Sequence, residues 1–173
     1  LKMKIVKTKI KDLVLLKTSI YRDKRGFFKE VEKNKVLKKK FIFDCFSYSK
    51  KKTLRGMHFQ KKNSQAKIIT VVQGKILDVV VDLRKNSKTF GKYFSIKLNE
   101  NNCTSVFIPE GFAHGFVTLK KENIVCYSCT EYRSPNHERS LKYNDPKFKI
   151  KWPVKKPNIS LKDKNANNFD LFK

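Results

Sequence analysis

Hydrophobic and polar positions alternate along most of this chain, and the alternation predicts a protein built from strands. From residue 41 onward, short apolar stretches recur at the spacing of about 8–12 residues that is typical of all-β proteins, with turn-forming Gly, Pro, Asn and Ser between them. The pattern predicts eight strands, at 41–48, 53–60, 66–73, 75–83, 92–98, 104–108, 114–119 and 124–132. Because no helical pattern separates them, we expect an all-β sandwich or jelly-roll barrel.

The two ends of the chain are less regular. Residues 3–22 alternate loosely and predict one or two strands, followed by a turn at "RDKRGFF". Apolar residues at nearly helical spacing predict a short helix over 31–41. From Ser134 onward, four prolines and weak periodicity predict an irregular C-terminal arm that wraps the barrel, with a helical turn near "NNFDLF". We expect a single domain over 1–173, a length that can bury a sizeable core.

Composition adds a formal net charge of +26 to this picture. Only six of the 41 basic residues are arginine, whereas proteins that read DNA grooves rely on arginine for bidentate base contacts. The lysines are spread along the whole chain, with short patches at 38–40, 50–52 and 61–62. This distribution indicates a general enrichment in lysine, so we predict no nucleic-acid partner. A positive surface would still raise the local concentration of anionic substrates.

The four cysteines, at 45, 103, 126 and 129, indicate free structural thiols. Cys126 and Cys129 have the spacing of half a zinc site, but no second pair completes it, and strand alternation points them to opposite faces. No stretch approaches the roughly 18 apolar residues that a membrane span needs, and the N-terminus lacks the pattern of a signal peptide. We therefore expect a cytoplasmic protein with no membrane partner.

Polar side chains interrupt the apolar strands at several positions, and they are the candidates for chemistry. They are Arg55, His58, Lys67, Asp78, His114, Tyr127 and Tyr132. Each alone has a structural explanation, such as a lysine that reaches the surface or a core tyrosine with one hydrogen bond. Several of them around one cavity would instead form a binding pocket.

The stretch "TLRGMHFQ", residues 53–60, brings two of these candidates close together. Arg55 and His58 are three residues apart, so a regular strand would point them to opposite faces. A bulge at Gly56 would turn both inward. A metal-binding jelly roll normally has two histidines one residue apart and a later glutamate, whereas Phe59 and Gln60 follow His58. This difference disfavours an iron or manganese site.

Five longer segments carry a combined pattern: "LRGMHFQ", "QAKIITVVQGKILDVVVDLRKNSKTFGKY", "FIPEGFAHGFVTL", "YNDPKFKIKWP" and "SLKD". In this order they resemble the dTDP-4-dehydrorhamnose 3,5-epimerase family, and the resemblance extends from "DKRGFFKE" to Asp163. It implies a double-stranded β-helix (a cupin-like jelly roll) with short peripheral helices. It also implies a homodimer and a site with neither metal nor organic cofactor.

The resemblance implies a reaction as well. The substrate is a nucleotide-linked 4-keto-6-deoxyhexose, dTDP-4-dehydro-6-deoxy-D-glucose, whose C3 and C5 protons flank a ketone. Removal of either proton leaves an enolate, and reprotonation on the opposite face inverts the centre, giving dTDP-4-dehydro-L-rhamnose. Such a site needs a base on one face of the sugar, an acid on the other and a cation near the ketone oxygen.

Residue roles follow from the same resemblance. His58 is the base, Asp163 orients it, and Asp78 is a second candidate partner for the histidine. Lys67 lies beside the developing enolate oxygen and Tyr127 is the acid. The implied substrate-binding residues are Arg25, Glu30, Arg55, His114, Glu138 and Lys162, with Tyr132 as a stacking face in the nucleotide region. Exchange of N-terminal strands in the homodimer is expected to place Arg25 and Glu30 near the neighbour's nucleotide.

One segment departs from the family, whose members usually carry Gln-Asp-Asn-x-Ser just before the LRG motif. This chain has "FDCFS", so Phe43 and Cys45 replace two amides that contact substrate. The alternatives are therefore an epimerase that inverts C3 only or C5 only, or one that acts on a different nucleotide sugar. Two other classes stay open, a non-catalytic sugar-binding jelly roll and a basic nucleic-acid-binding protein whose binding would depend steeply on salt.

Overall fold

Two antiparallel sheets face each other and contain most of the strands. The structure is a computed structural model that describes residues 3–31 and 37–172. The six-stranded sheet has the order β1 (Lys4–Lys7), β2 (Val14–Lys17), β10 (Thr104–Ile108), β7 (Lys67–Gln73), β12 (Glu122–Cys129) and β5 (Phe43–Lys50). The five-stranded sheet has the order β13 (Glu138–Ser140), β6 (Leu54–Gln60), β11 (Phe112–Thr118), β8 (Lys75–Asp82) and β9 (Tyr93–Asn99). The expected all-β jelly roll is confirmed, and each of the eight predicted strands overlaps an observed one.

An N-terminal hairpin stands apart from both sheets. Among the strands of the described residues, β3 (Ile20–Asp23) and β4 (Gly26–Lys29) pair only with each other, and the predicted turn at "RDKRGFF" forms the tip of the hairpin. Large apolar side chains on this hairpin are exposed, with Phe27 at 48% and Phe28 at 62%. Residues 32–36 of the helix predicted over 31–41 lie outside the described part of the chain.

Strand β8 shows why hydrophobic and polar residues alternate less clearly in the middle of the chain. One face of β8, with Ile76 and Val80, packs into the core between the two sheets. Its other face, with Leu77 and Val79, is covered by residues of the C-terminal segment such as Phe169. A strand that is buried on both faces has apolar residues at consecutive positions, as in "VVV" of residues 79–81.

The C-terminal segment runs over the outer face of the five-stranded sheet. After Ser134 it forms a 3-10 turn (Pro135–His137), β13, the one-turn helix α1 (Leu161–Lys164) and a second 3-10 turn (Phe169–Phe172). The last of these confirms the helical turn predicted near "NNFDLF". Ser160 caps α1, since its Oγ accepts a hydrogen bond from the Asp163 amide at 3.1 Å, and this fixes the start of the helix. None of the helices in the described ranges is both long enough and apolar enough to span a membrane.

The turn after β8 is held by one fully buried carboxylate, Asp82. Arg84 Nε lies 2.9 Å from Asp82 Oδ1, and the hydroxyls of Ser87 and Thr89 donate to Oδ2 at 2.7 and 2.6 Å. Burial would raise the pKa of Asp82, but these hydrogen bonds outweigh it and lower the pKa from 3.8 to about 2. The carboxylate therefore stabilises the fold in its ionised form.

Replacing Asp82 with asparagine should destabilise the fold by about 3 kcal/mol, because Arg84 would remain without its buried anion. Since the folded pKa is depressed, the contribution of Asp82 is complete above about pH 4 and is lost as pH falls toward 2. Thermal unfolding measured from pH 7 to pH 2 checks both points: the difference between native and variant Tm should shrink at acid pH. A difference that stays constant with pH would contradict this role.

Candidate active site

A bulge in β6 brings Arg55 and His58 to the same cavity. In the pairing of β6 with β11, His58 lies opposite His114 and Arg55 lies opposite Phe116, so β6 has one residue more than β11 over this interval. Gly56 lies in the bulge with φ +118°, and a Cβ there would come within 2.5 Å of the Gly115 Cα. Only glycine fits, because both the backbone angle and the neighbouring strand exclude a side chain. The bulge expected at Gly56 is confirmed.

His58 is paired with a buried carboxylate from the C-terminal segment. Its Nε2 lies 2.6 Å from Asp163 Oδ1, and the Gly56 amide donates to Oδ2 at 3.2 Å. Burial would raise the pKa of Asp163, yet the hydrogen bonds from His58, Gly56 and Ser160 hold it below its usual value. The carboxylate of Asp163 holds the imidazole in one orientation, an arrangement that is typical of histidines that transfer protons.

The main cavity lies between the two sheets and has a volume of about 380 Å³, within the range of small-molecule sites. Side chains from the five-stranded sheet line one side of it, including His58 of β6 and His114 of β11. Lys67 of β7 and Tyr127 of β12, from the six-stranded sheet, line the other. A flat ligand between the sheets would therefore meet the His58–Asp163 pair on one face and Tyr127 on the other.

Tyr127 and Lys67 are both half-buried, and both face this cavity. Burial raises the pKa of Tyr127, and its hydroxyl lies 3.1 Å from Ser47 Oγ on β5, so the phenol is protonated and can donate a proton. Burial also lowers the pKa of Lys67, and the nearby thiol of Cys129 and carboxyl of Glu138 partly oppose this shift. A lysine in such surroundings gains most when a negative charge develops beside it.

Asp78 does not pair with His58. Its Oδ1 lies 2.7 Å from His114 Nε2, which makes a second, deeper histidine–aspartate pair. Asp78 is fully buried, and its Oδ2 has no hydrogen-bond partner within the described residues. The second-partner hypothesis for His58 is wrong, because on β8 Asp78 lies opposite Phe116, where its side chain reaches His114 rather than β6.

Comparison with known proteins shows the family of this chain. The model of a family described as dTDP-4-dehydrorhamnose 3,5-epimerase matches residues 7–170. The chain belongs to this family. It is 40% identical to the dTDP-4-dehydrorhamnose 3,5-epimerase of Salmonella typhimurium, over 97% of this chain and 96% of that protein. The corresponding protein of Methanothermobacter thermautotrophicus is 39% identical, over 94% and 92% of the two chains.

A solved structure of the family has the same fold. The dTDP-6-deoxy-D-glucose-3,5-epimerase of Legionella pneumophila, in complex with dTDP-4-keto-L-rhamnose, matches with a TM-score of 0.95 and 37% identity. The match covers 99% of this chain and 95% of that one. The cupin-like jelly roll expected from the sequence is therefore confirmed for this epimerase.

Further candidate residues of the epimerase lie where the main cavity meets a second one. Arg55 and Glu138 line both cavities, while Lys162 and Asp163 line the second. Lys162 Nζ donates to Glu138 Oε2 at 2.9 Å. Within residues 3–31 and 37–172, no cluster of His, Cys, Asp or Glu is arranged to hold a metal ion.

Three of the implied substrate-binding residues, Arg25, Glu30 and Tyr132, line neither of these two cavities. Arg25 lies at the tip of the hairpin, where its side chain is 84% exposed and bonds to Asp23. Glu30 follows β4 and is also exposed. Tyr132 is 60% exposed and stands at the rim, with its ring centroid 5.7 Å from that of Phe43.

Several residues that line the main cavity were not among the candidates, and Ser47 and Arg133 are two of them. Ser47 shares the inward face of β5 with Phe43 and Cys45, so strand alternation alone could have indicated it. Arg133 lies in the irregular stretch after β12, where no periodicity indicates the direction of a side chain. Of the four free cysteines, Cys45 and Cys129 face the main cavity, and burial raises the pKa of the Cys129 thiol to about 11.

Proposed function

We propose that this epimerase converts dTDP-4-dehydro-6-deoxy-D-glucose to dTDP-4-dehydro-L-rhamnose by inverting C3 and C5 through enolate intermediates. The observation that carries the proposal is the placement of a histidine–carboxylate pair and a protonated phenol on opposite sheets around one cavity. A sugar ring held between the sheets can lose a proton from one face and receive one on the other. Inversion of a carbon centre requires this geometry.

The first half of the reaction uses His58. Its imidazole removes the proton from C3 or C5, and the electron pair moves toward the ketone to form an enolate. Asp163 stabilises the imidazolium that results, because its carboxylate is ionised and held at 2.6 Å. Lys67 supplies the positive charge that stabilises the enolate oxygen.

The second half uses Tyr127. Its phenol donates a proton to the carbon on the face opposite His58, and the electron pair returns from the enolate to re-form the ketone. Ser47 is within hydrogen-bond distance and can stabilise the phenolate that remains. His58 then returns its proton to solvent and Tyr127 regains one, so the protein ends the cycle unchanged.

Turnover in deuterated water tests this function directly. The protein is incubated with dTDP-4-dehydro-6-deoxy-D-glucose, and proton NMR locates the incorporated label. Deuterium at both C3 and C5, with inverted configuration at each, is the expected result. Label at one carbon only would identify a 3-only or 5-only epimerase, and the absence of label with retained ligand binding would identify a non-catalytic sugar-binding protein.

We also propose a homodimer in which the hairpin of one subunit completes the site of the other. Two features support it: Arg25 is exposed at the tip of a hairpin outside both sheets, and that hairpin carries exposed apolar side chains such as Phe28. Such a surface is typical of a segment that is buried on association. The diphosphate or nucleotide of a bound substrate is the group that an added arginine would contact.

Mixing two inactive variants tests the shared site. Neither Arg25→Ala nor His58→Ala should be active alone at more than a few per cent of the native rate. Heterodimers, formed by co-expression, contain one site with both Arg25 and His58 intact if the hairpin acts on its neighbour, and they should regain up to half of the activity. If Arg25 acted within its own subunit, no mixture would be active.

The cavity wall at Phe43 and Cys45 predicts weak substrate binding. Both side chains face the cavity where amides would hydrogen-bond the substrate, and each unpaired substrate group costs about 1–3 kcal/mol. The double change Phe43→Gln, Cys45→Asn should therefore lower KM for the dTDP sugar by about thirtyfold or more. KM values for dTDP-, CDP- and GDP-linked 4-keto sugars, measured for both proteins, check this. Efficient turnover of the dTDP sugar by the native chain, together with a poorer double variant, would show that other groups compensate.

A further inference from the structure

Four residues form the boundary between the main cavity and the second one. They are Arg55, His58, Arg133 and Glu138. His58 is the proposed base, and Arg55 and Glu138 have already been placed as substrate-binding candidates. Arg133 has no role in the reaction described above, although it borders both cavities.

Glu138 holds two cations at this boundary. Arg133 Nη2 and Lys162 Nζ both donate to the same oxygen, Glu138 Oε2, at 2.8 and 2.9 Å. Burial would raise the pKa of Glu138, but these two partners lower it, so the carboxylate is ionised. One carboxylate thus contacts both Arg133 and Lys162, and Arg55 lines the same two cavities, so positive charge is in excess at this boundary. Among the described residues that line the main cavity, Glu138 is the only acidic one.

Arg133 is free to bind more than Glu138. Its side chain is 62% exposed, and the contact with Glu138 uses one of the five N–H donors of a guanidinium. The next residue back, Tyr132, stands at the rim of the cavity, while His58 lies within it. In a nucleotide sugar the diphosphate lies between the base and the sugar. Arg133 follows the stacking residue directly in the chain and lines the same cavities as the proposed catalytic histidine.

We propose that Arg133 is a further substrate-binding residue, which contacts the diphosphate of the nucleotide sugar. The inference rests on the proposed function, which supplies the ligand. A guanidinium matches the geometry of phosphate oxygens and can bind two of them at once. Glu138 positions the side chain before substrate arrives, so little side-chain freedom is lost on binding.

Binding of three ligands separates this role from others. Calorimetry or NMR titration gives Kd for dTDP, inorganic pyrophosphate and thymidine with the native protein, Arg133→Ala and Arg133→Lys. Arg133→Ala should raise Kd for dTDP and pyrophosphate about tenfold. Kd for thymidine should change by less than about twofold, because thymidine lacks the diphosphate. Arg133→Lys should recover part of the loss. KM for the sugar nucleotide should rise about tenfold, with kcat nearly unchanged.

Two controls make the result decisive. Lys97→Ala, on β9 at the opposite edge of the five-stranded sheet, removes the same charge and should leave all three Kd values unchanged. When Glu138 is already replaced by glutamine, Arg133→Ala should still raise Kd for dTDP about tenfold. If the loss disappears there, Arg133 acts only by holding Glu138, and the proposal is wrong.

The proposal also fails if dTDP binding is unaffected by Arg133→Ala, or if thymidine is weakened equally. Turnover by the native protein tests the proposed function separately. If the native protein binds pyrophosphate through Arg133 but does not epimerise the sugar, the binding role of Arg133 stands and the proposed function is wrong. If the native protein epimerises the sugar but the Arg133→Ala variant has the native KM, the proposed function stands and the binding role of Arg133 is wrong.

Discussion

Replacing His58 with alanine is expected to slow proton exchange at both C3 and C5 by about a thousandfold, within the range typical of a general base. In the proposed mechanism the imidazole removes the proton, and the Asp163 carboxylate holds it at 2.6 Å. His114, the other histidine of the cavity, is bound to Asp78 and is only 5% exposed, so it is poorly placed to take over.

Deuterium incorporation measured by NMR, at C3 and at C5 separately, checks this expectation. His58→Gln serves as a second variant, since an amide can still donate a hydrogen bond to Asp163 but cannot accept a proton at neutral pH. Circular dichroism and dTDP binding show whether each variant is folded. If a folded His58→Ala protein exchanged deuterium at the native rate, His58 would not be the base.

Tyr127→Phe is expected to separate proton removal from inversion. The substitution removes only the donor on the opposite face, so exchange of the C3 and C5 protons should stay within about threefold of the native rate. Formation of the inverted product should fall about a hundredfold, because the enolate is then reprotonated from the side of His58. The change is isosteric apart from the hydroxyl that contacts Ser47 at 3.1 Å.

A comparison of exchange rate and product rate in one reaction tests this separation. Tyr93→Phe, on β9 at the far edge of the five-stranded sheet, is the matched control and should leave both rates unchanged. Equal losses of exchange and product in Tyr127→Phe would mean that the phenol also takes part in proton removal. Unchanged product formation would exclude it as the acid.

Much of the fold could be predicted from the sequence, because local alternation determines strands that are buried on one face. The strand over 104–108 coincides with the prediction, and the others in the barrel differ by a few residues at their ends. Strand β13 was missed: it has only three residues, "ERS", and forms by pairing with β6 rather than from its own pattern. Its position depends on tertiary contacts that a local pattern does not contain.

The candidate site was predicted less completely, for a different physical reason. Alternation gives the face on which a side chain lies, but the register between strands decides which side chains meet. Asp78 therefore pairs with His114 instead of His58, because the register of β8 and β11 brings these two together. Arg133 lies outside any regular strand, where only the folded loop determines its direction.

The separation of His58 and Asp163 by 105 residues has a consequence for protein synthesis. All strands of the two sheets except β13 lie before residue 130, so most of the barrel can assemble while the rest of the chain is still on the ribosome. At that stage the histidine lacks the carboxylate that completes the base. The nascent epimerase should thus have a largely assembled barrel but no activity. It should become active only when α1 has emerged from the ribosome and packs against β6.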